Sequence, residues 1–402
     1  MEAAQKEKIL ILSGALGDGH VQAAKALYEA AGLYHSDAEV EVIDFMKWTH
    51  PRLSALGSYC YLKWIKHFPS VYGYLFQKTR MDNPYSHFLK QLQLFNLEKM
   101  RKLLQKVQPS IVVHTFPSSA AAMSLLKSYG LTDLPSVTVI TDHTDHSYWI
   151  HPHTDHYLVS SEDVRQLLIL RNISERQITV SGIPIRESFS QSFDKQLLRA
   201  HYGIGGSQFV VLVMGGGLGM IDSELVEWLQ NQELPPAMQF IVICGRNKKL
   251  QQGLSKKLSG RKERVTIAGY VDHIQELMAL SDLVLTKPGG LTTSEALAME
   301  LPMLLFKPLP GQEQDNARYL VRREAALEAN DFRQLQLQLM RLYHDRELLG
   351  KMKEKAKQCS VKQSARYALG KINELNNHYR HLEEEPFQAS LANEFERLEL
   401  CR

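Results

Sequence analysis

Short runs of consecutive apolar residues, many of them β-branched, recur along the chain and alternate with longer stretches that suit helices. The runs of strand length are Ile9–Ser13, Val40–Phe45, Ser110–Thr115, Val137–Thr141, Tyr157–Ser160, Ile178–Ser181, Phe209–Met214, Phe240–Cys244, Val265–Ile267, Leu283–Thr286 and Met303–Phe306. A strand buried on both faces has a continuous apolar run, whereas a strand with one wet face alternates. The pattern therefore predicts an α/β protein with parallel sheets covered by helices on both sides.

The runs fall into two series, and each series opens with a strand that leads into a glycine-rich turn. This predicts two doubly wound, Rossmann-like domains that face each other across a central cleft. A Gly-Ile-Pro-Ile-Arg turn at 182–186 marks the boundary, so the first domain is predicted over 1–186 and the second over 187–360. Helices are predicted over Arg333–Leu349 and from Lys351 to about His381. Residues 361–402 are expected to form a helix that returns to the first domain, followed by an acidic tail.

Composition narrows the class of protein. A chain of 402 residues is too long for one hydrophobic core and suits two domains. Its cysteines lack the spacing of a disulfide framework or a zinc site, which fits a reducing compartment. A net charge of +3 is too small to predict a nucleic-acid partner. No segment has the features of a signal peptide or the ~20 apolar residues of a membrane span. We therefore expect a cytoplasmic protein that is at most peripheral to a membrane.

The first strand is followed by a glycine-rich turn that ends in a histidine, Ser13-Gly14-Ala15-Leu16-Gly17-Asp18-Gly19-His20. Glycines such as Gly17 and Gly19 let the backbone approach a ligand closely. A histidine that faces the cleft can take a proton from a hydroxyl near neutral pH. An ordinary turn with a histidine at the start of a helix would have the same sequence, so this motif alone does not specify a ligand site.

The first strand of the second domain leads into the corresponding turn, Met214-Gly215-Gly216-Gly217-Leu218-Gly219. Its spacing departs from the dinucleotide fingerprint G-x-G-x-x-G, and no acidic residue closes the following strand, which disfavours a nicotinamide or flavin. Gly216 and Gly217 are candidates for close approach to a ligand. Arg246, after the second strand of this domain, offers a positive charge to a phosphate or is an ordinary surface arginine.

The most specific motif is Thr286-Lys287-Pro288-Gly289-Gly290-Leu291-Thr292-Thr293-Ser294-Glu295, where a buried strand passes into a helix. The N–H groups at the start of such a helix suit a diphosphate, and the Glu295 carboxylate can accept hydrogen bonds from a ribose diol. The same letters fit a capping box with Thr292 as N-cap and Glu295 three residues later. A carboxylate folded back on the N-cap could not also hold a ribose.

A polar loop follows the next strand and reads Pro308-Leu309-Pro310-Gly311-Gln312-Glu313-Gln314-Asp315-Asn316. Together with the segments above, Gly182–Arg186 and Gly269-Tyr270-Val271, it resembles the diacylglycerol sugar transferases. These are the bacterial processive diacylglycerol β-glucosyltransferases and the plant monogalactosyldiacylglycerol synthases, with the N-acetylglucosamine transferase that makes lipid II as a more distant relation. The resemblance covers about residues 8 to 360, and K-P-G-G-x-T-x-x-E with P-x-P-G-Q-E is its most specific part.

This resemblance implies the GT-B fold, a UDP-hexose in the second domain, a diacylglycerol or other lipid acceptor and inversion at the anomeric carbon. It implies no metal and no resident cofactor. The implied donor-side contacts are the diphosphate cradle (Gly289, Gly290 and Thr292), the ribose ligand Glu295, the sugar readers Gln312 and Glu313, and the uracil-side turn at Tyr270 and Val271.

On the acceptor side the resemblance implies that His20 is the base. Thr141-Asp142, His146 and Trp149 match a T-D-x-x-x-H-x-x-W pattern, with Asp142 as orienting group or competing base. Asp18 departs from the Gly or Asn of the relatives and is expected to tune the proton affinity of His20 or to alter the fit of the acceptor.

Many histidines and aspartates crowd the loop between 142 and 156 and suggest a metal site as an alternative. They are Asp142, His143, Asp145, His146, His151, His153, Asp155 and His156. Imidazole and carboxylate are suitable ligands, but the spacing matches no closed metal motif. The prediction is that no metal is bound.

Residues 45–81 contain no Asp or Glu but are rich in basic and aromatic residues. The basic ones are Lys47, Arg52, Lys63, Lys66, Lys78 and Arg80, and they alternate with Trp48, Tyr59, Tyr61, Trp64, Phe68, Tyr72, Tyr74 and Phe76. Aromatic residues favour the lipid interface and basic residues favour anionic headgroups. We predict that this segment docks on the inner face of the cell membrane. The alternative is a pair of helices packed by their aromatic rings with solvated lysines.

Two other functions fit the same pattern. One is a different UDP-N-acetylglucosamine enzyme, either an epimerase or a transferase to another lipid. The other is a nucleotide-sugar sensor with a degenerate acceptor site, an alternative that the unusual Asp18 keeps open. The sequence does not distinguish glucose from galactose, or one transfer from several.

Overall fold

The computed structural model describes residues 7–14, 18–51, 64, 67–86, 94, 96–215, 221–231 and 234–380. In the first domain, six parallel strands form one sheet in the order β2-β1-β3-β4-β5-β6. The strands are β1 (Lys8–Ser13), β2 (Glu39–Asp44), β3 (Ile111–His114), β4 (Ser136–Val139), β5 (His156–Val159) and β6 (Ile178–Val180). The helices are α1 (Asp18–Tyr34), α2 (Phe45–Thr49), α3 (Pro69–Lys78), α4 (Leu97–Val107), α5 (Pro117–Ser128) and α6 (Glu162–Leu170).

A second six-stranded parallel sheet, in the order β12-β11-β10-β7-β8-β9, forms the second domain. Its strands are β7 (Phe209–Met214), β8 (Met238–Ile243), β9 (Val265–Ala268), β10 (Leu283–Thr286), β11 (Met303–Phe306) and β12 (Ala326–Ala329). Its helices are α7 (Lys195–His201), α8 (Ser223–Asn231), α9 (Lys248–Lys257), α10 (Ile274–Leu280), α11 (Gly290–Ala298), α12 (Gln312–Arg322), α13 (Phe332–His344) and α14 (Arg346–Gln358). The predicted α/β architecture is confirmed.

The region after residue 325 differs from the prediction in three ways. β12 was not predicted, because its Ala-Leu-Glu-Ala sequence is neither continuously apolar nor β-branched. The helix predicted over Arg333–Leu349 is divided at Asp345, whose carboxylate accepts a hydrogen bond from the N–H of Leu348 and so caps the start of α14. The helix predicted from Lys351 to His381 is also divided, since α14 ends at Gln358 and a separate helix, α15, occupies 364–380.

The chain passes between the two domains twice. Ile185 and Phe189, just after β6, already pack into the core of the second domain. In the other direction, α15 places Ala365, Ala368, Leu369 and Ile372 in the core of the first domain. Full burial of a large apolar side chain contributes about 1.5–3 kcal/mol, so α15 is an integral part of the first domain. Among the described helices, none combines the length and the apolar composition needed to cross a membrane.

Candidate active site

The carboxyl ends of the two sheets face one cleft, and helices from both domains begin there. A Cβ added to Gly19 in α1 would lie 4.0 Å from the Cβ of Leu291 in α11. The N–H groups in the first turn of a helix lack intrahelical partners and carry the positive end of the helix dipole. This part of the cleft therefore attracts a negatively charged group.

Helix α11 begins at Gly290, with Gly289 as N-cap and without a side-chain capping bond. The capping-box alternative is therefore wrong, because Thr292 lies inside the helix and Glu295 lies in its second turn. The hydroxyl of Thr293 donates to the Gly289 carbonyl (3.0 Å) and that of Ser294 to the Gly290 carbonyl (2.8 Å). A Cβ on Gly289 would meet only open space, so a ligand can approach the backbone there.

Glu295 is the buried acidic residue of this helix, with 7% of its surface exposed. Within the described residues, no group donates a hydrogen bond to its carboxylate. Burial raises the pKa of Glu295 to about 7, and the positive charge of Arg186 opposes this shift. Buried polar groups are nearly always hydrogen-bonded in folded proteins, so this carboxylate is available to a polar ligand.

His20 lies on the first-domain side of the cleft, between two aromatic rings. Its centroid is 5.5 Å from that of Phe116 and 5.7 Å from that of Trp149. Its Nδ1 is 2.9 Å from Oγ1 of Thr141. Burial lowers the pKa of His20 to about 4, with a smaller opposing effect from the backbone of Thr115. The imidazole is therefore neutral near pH 7 and able to accept a proton.

Asp142 follows Thr141 and is held from the other domain by Asn316. The Asn316 Nδ2 donates to Oδ1 of Asp142 (2.9 Å) and to the Pro288 carbonyl (3.0 Å), while its Oδ1 accepts from the N–H of His143 (2.6 Å). Burial raises the pKa of Asp142 to about 7; the Asn316 hydrogen bond opposes this, and the charges of Asp315 and Glu313 add to it.

Asn316 was not predicted as a site residue, although its spacing from Gln312 was a usable signal. Asn316 lies four residues after Gln312 in α12, and residues four apart share one face of a helix. A candidate sugar-binding glutamine therefore indicates that this asparagine lies on the same side.

Gly290 has a second role beside the one implied for a diphosphate. A Cβ at this position would overlap with the carbonyl oxygen of Thr141 and lie 3.2 Å from Oδ1 of Asp142. Only glycine allows the loop after β4 to touch the start of α11. The loop that carries Asp142 and the helix start that carries Gly290 are thus in direct contact.

Gln312 and Glu313 begin α12, and both have protein partners. The hydroxyl of Tyr72, from α3 of the first domain, donates to Oε1 of Gln312 (2.5 Å). Oε2 of Glu313 accepts from the N–H of Leu309 (2.7 Å). Burial raises the pKa of Glu313, and the charge of Lys287 opposes this shift. In Gln312 and in Glu313, one side-chain oxygen is thus held by a hydrogen bond from the protein.

Arg246 lies at the cleft margin with its guanidinium 5.0 Å from the ring centroid of Tyr270. Its Nη1 is 3.3 Å from Oδ1 of Asp18, which joins the two domains. The shift in the pKa of His20 arises from burial and the Thr115 backbone, so Asp18 acts on Arg246 in this structure. Val271 packs against the hydrophobic core of the second domain. The predicted residues Gly17, Gly216 and Gly217 lie outside the described residues.

The histidine and aspartate side chains of the loop 142–156 bind separate partners. The carboxylate of Asp145 binds Arg80 and Arg171, and that of Asp155 binds Lys127 and the N–H of Ser136. His146 Nε2 contacts the Phe76 carbonyl (2.8 Å), and His156 Nε2 contacts the Thr179 hydroxyl (2.9 Å). Over the part of the chain that the structure describes, no three His, Cys, Asp or Glu side chains are grouped as metal ligands.

The basic and aromatic segment 45–81 is divided between inward and outward residues. Arg80, a basic residue of this segment, is directed to the protein, because its guanidinium is bound by Asp145 and Asp315. Phe76 is buried, at 4% exposed. The outward apolar face comprises Phe68 (56% exposed), Val71 (48%), Tyr74 (62%) and Leu75 (45%). Arg52, Tyr59, Tyr61, Lys63 and Lys66 lie outside the described residues.

Two family descriptions match consecutive parts of the chain. Residues 20–185 match the family described as Monogalactosyldiacylglycerol (MGDG) synthase. Residues 210–367 match the Glycosyltransferase family 28 C-terminal domain. The first match includes His20 and Asp142, and the second includes Glu295 and Gln312.

Similar proteins extend over both domains. A processive diacylglycerol beta-glucosyltransferase of Bacillus cereus (strain B4264) is 32% identical over 368 residues, which are 91% of this chain and 93% of that protein. The protein of the same name from Bacillus pumilus (strain SAFR-032) is 32% identical over 376 residues, 92% of this chain and 95% of that protein.

Solved structures share the fold at low identity. Acinetobacter baumannii MurG is 14% identical with a TM-score of 0.59, covering 92% of this chain and 100% of that chain. The S. aureus MnaA–UDP structure is 14% identical with a TM-score of 0.60, covering 94% and 97%. The Neisseria meningitidis UDP-GlcNAc 2-epimerase bound to UDP-GlcNAc is 15% identical with a TM-score of 0.55, covering 91% and 100%. This similarity concerns the fold and confirms the GT-B arrangement.

Proposed function

The chain belongs to the diacylglycerol glycosyltransferase family and acts on diacylglycerol, and on that premise we propose that it transfers a hexose from a UDP-sugar with inversion of the anomeric carbon. The acceptor is diacylglycerol or a glycosyl-diacylglycerol at the inner membrane surface. The observation that carries the proposal is the buried carboxylate of Glu295, which has no hydrogen-bond donor among the described residues. It lies one turn behind an N-terminus that is open to an anion.

In this proposal the donor lies against the start of α11. The diphosphate accepts hydrogen bonds from the N–H groups near Gly289 and Gly290 and from the Thr292 hydroxyl, and Arg246 adds positive charge. The ribose diol donates to Glu295, whose raised pKa reflects a buried site that polar hydroxyl groups would solvate. The remaining contacts are the uracil at Tyr270 and Val271 and the sugar at Gln312 and Glu313. No metal or resident cofactor takes part.

The proposed reaction begins at His20. Its neutral imidazole takes the proton of the acceptor hydroxyl while the hydroxyl oxygen attacks the anomeric carbon from the face opposite UDP. The bond from that carbon to the β-phosphate oxygen breaks, and UDP leaves with the electron pair, stabilised by the helix N-terminus. General-base assistance of this kind contributes about 10²–10⁴ in rate. Asp142 is the competing base, since its carboxylate lies beside Gly290 at the start of α11.

The outward face of α3 is proposed as the membrane contact. Its exposed apolar residues lie beside the exposed Lys78, a combination that suits an anionic bilayer surface. Flotation with phosphatidylglycerol-containing vesicles is expected to recover the protein, and neutral vesicles are expected to recover much less. Equal recovery with both would contradict this part of the proposal. The enzyme is accordingly expected in the cytoplasm, peripheral to the inner face of the membrane.

The decisive experiment offers UDP-glucose, UDP-galactose and UDP-N-acetylglucosamine separately with diacylglycerol vesicles. Mass spectrometry identifies the lipid products, and NMR gives their anomeric configuration. A β-hexosyl diacylglycerol from an α-linked UDP-hexose is the expected result. Conversion of UDP-N-acetylglucosamine without acceptor would instead support an epimerase. Tight UDP binding without any turnover would support a nucleotide-sugar sensor.

A further inference from the structure

We propose that helix α3, whose outer face is the membrane contact, also completes the donor-sugar site, with Tyr72 as a positioning residue for Gln312. The Tyr72 hydroxyl would hold the carboxamide of Gln312 so that its N–H groups face the donor sugar. This inference rests on the proposed function, because it assumes that Gln312 contacts the sugar of a nucleoside diphosphate hexose.

The hydrogen bond between these two residues determines which end of the amide is free. The Tyr72 hydroxyl lies 2.5 Å from Oε1 of Gln312. A phenol is a donor here, and a carboxamide offers one oxygen and one NH₂ group. With its oxygen occupied, Gln312 presents its Nε2 to a ligand as a hydrogen-bond donor. Sugar hydroxyl oxygens accept such bonds.

The Tyr72 ring is itself held in place by two neighbours. It packs edge-on to Trp64, with centroids 6.0 Å apart, and against Phe76, with centroids 6.1 Å apart. Aromatic pairs at these distances are favourable and restrict rotation of the ring. The hydroxyl is therefore presented to Gln312 from a rigid support.

Helix α3 and the loop before α12 also pack closely, each through a glycine backbone against a side chain of the other. A Cβ on Gly73 would overlap with the Pro310 ring. Gly311 has a φ of 104°, and a Cβ there would lie 2.8 Å from Cε1 of Tyr72. Both glycines are required for this close approach, since any side chain would separate the helix from the loop. The loop is thus built against α3.

An ion pair fixes the other end of the contact. Nη2 of Arg80, just after α3, binds both carboxylate oxygens of Asp315 at 2.7 and 2.5 Å, and Nη1 binds Asp145 at 2.7 Å. Thr144 donates a further hydrogen bond to Asp315 (2.8 Å). Asp315 lies three residues after Gln312. The first turn of α12 is therefore held at Gln312 and at Asp315 by side chains of the first domain.

Tyr72→Phe tests the inference because it removes one hydroxyl and keeps the ring. Isothermal titration calorimetry gives Kd values for UDP and for UDP-hexose without lipid. We expect Tyr72→Phe to weaken UDP-hexose binding about 3- to 10-fold, the size of one neutral hydrogen bond, and to change UDP binding less than about 2-fold. The matched control is Tyr129→Phe, an exposed tyrosine of the first domain, which should change neither value.

A double-mutant cycle separates positioning from general destabilisation. In a Gln312→Ala background, Tyr72→Phe should cause no further loss of UDP-hexose affinity, because the amide it orients is absent. Additive losses would overturn the inference. Equal UDP-hexose affinities for Tyr72→Phe and Tyr129→Phe would overturn it too, while leaving the proposed function intact. A wild-type chain that binds neither UDP nor UDP-hexose would contradict the proposed function and, with it, this inference.

Discussion

The two domains have sheets of equal size, but their polar groups at the cleft are satisfied differently. On the acceptor side, His20 contacts Thr141 and Asp142 is bound by Asn316, so these groups have partners before any substrate arrives. On the proposed donor side, Gln312 and Glu313 have partners, but Gly289 faces open space and the Glu295 carboxylate has no hydrogen-bond donor among the described residues.

This difference follows from what each half would bind. A nucleoside diphosphate sugar brings many polar atoms and can supply the missing hydrogen bonds itself. A diacylglycerol brings one reactive hydroxyl and two apolar chains, so its half must orient the base through protein contacts alone. Substitutions on the two sides should therefore have different kinetic signatures. Acceptor-side changes should lower the rate, and donor-side changes should lower nucleotide affinity.

The largest effect is expected for His20→Gln. Loss of a general base should reduce kcat about 10²- to 10⁴-fold, because the acceptor hydroxyl loses its proton acceptor. The Kd for UDP should change less than about 2-fold. Steady-state assays with diacylglycerol vesicles and calorimetry measure the two quantities. His201→Gln, an exposed histidine of the second domain, is the control. A matching loss of UDP affinity would contradict the proposed division between the halves.

Glu295→Gln is expected to have the next largest effect, on affinity. A charge-assisted pair of hydrogen bonds to the ribose diol is worth about 10- to 100-fold in Kd, whereas kcat at saturating donor should change little. A 2′-deoxy analogue of UDP should bind wild type more weakly than UDP but should bind the variant about as well as UDP does. The exposed Glu263 provides the control Glu263→Gln. If Glu295→Gln weakens the binding of UDP and of its 2′-deoxy analogue by the same factor, Glu295 does not contact the ribose.

The pH dependence distinguishes Asp142 from His20. A base acts in its deprotonated form, so the rate falls about tenfold per unit below its pKa. With the pKa of Asp142 raised to about 7 and that of His20 lowered to about 4, an ionised Asp142 should produce a fall in kcat below pH 7. The Asp142→Asn variant should have a lower kcat than wild type. Its kcat should no longer fall below pH 7 and should fall only near pH 4, where His20 is protonated. A wild-type kcat that is constant between pH 5 and 8 would exclude Asp142 as an essential carboxylate.

The smallest effect is expected for Asp18→Asn. Its exposed ion pair with Arg246 is the type that contributes little, and it does not contact the imidazole of His20. We expect kcat/KM to change less than about 3-fold at low salt, with a smaller difference at 0.5 M salt because of screening. A shift in the lower limb of the pH profile would instead show that Asp18 acts on His20.

Most strands could be predicted because they are short apolar runs rich in β-branched residues. β2 alternates glutamate with valine and was recognised by its β-branched residues, whereas β12 has neither feature. The motif at 286–295 likewise gave the position of the strand-to-helix turn. The predicted site residues Glu295, Gln312 and His20 lie at the carboxyl ends of strands, where parallel sheets bind ligands. Their roles in binding and catalysis stay predictions.

The contacts between the domains could not be predicted. Tyr72 is 240 residues from Gln312, and Arg80 is 235 residues from Asp315. Periodicity describes only local structure, so the partners of these side chains depend on how two finished domains dock. Arg80 illustrates the consequence, because a basic residue among aromatic residues suggested a lipid contact and instead forms an interdomain ion pair. The break at Asp345 was not predicted, because the sequence alone does not distinguish an aspartate that caps a helix from one that is exposed on a helix surface.

The return of α15 to the first domain means that this domain is discontinuous, with the entire second domain inserted between β6 and its last helix. During synthesis the second domain can therefore be completed while the first still lacks one wall of its core. The half that emerges first from the ribosome is the half that finishes folding last. Until residues 364–380 have been made, the apolar cluster that contains Ile9 and Ile111 is covered by α1 but still lacks the side chains of α15.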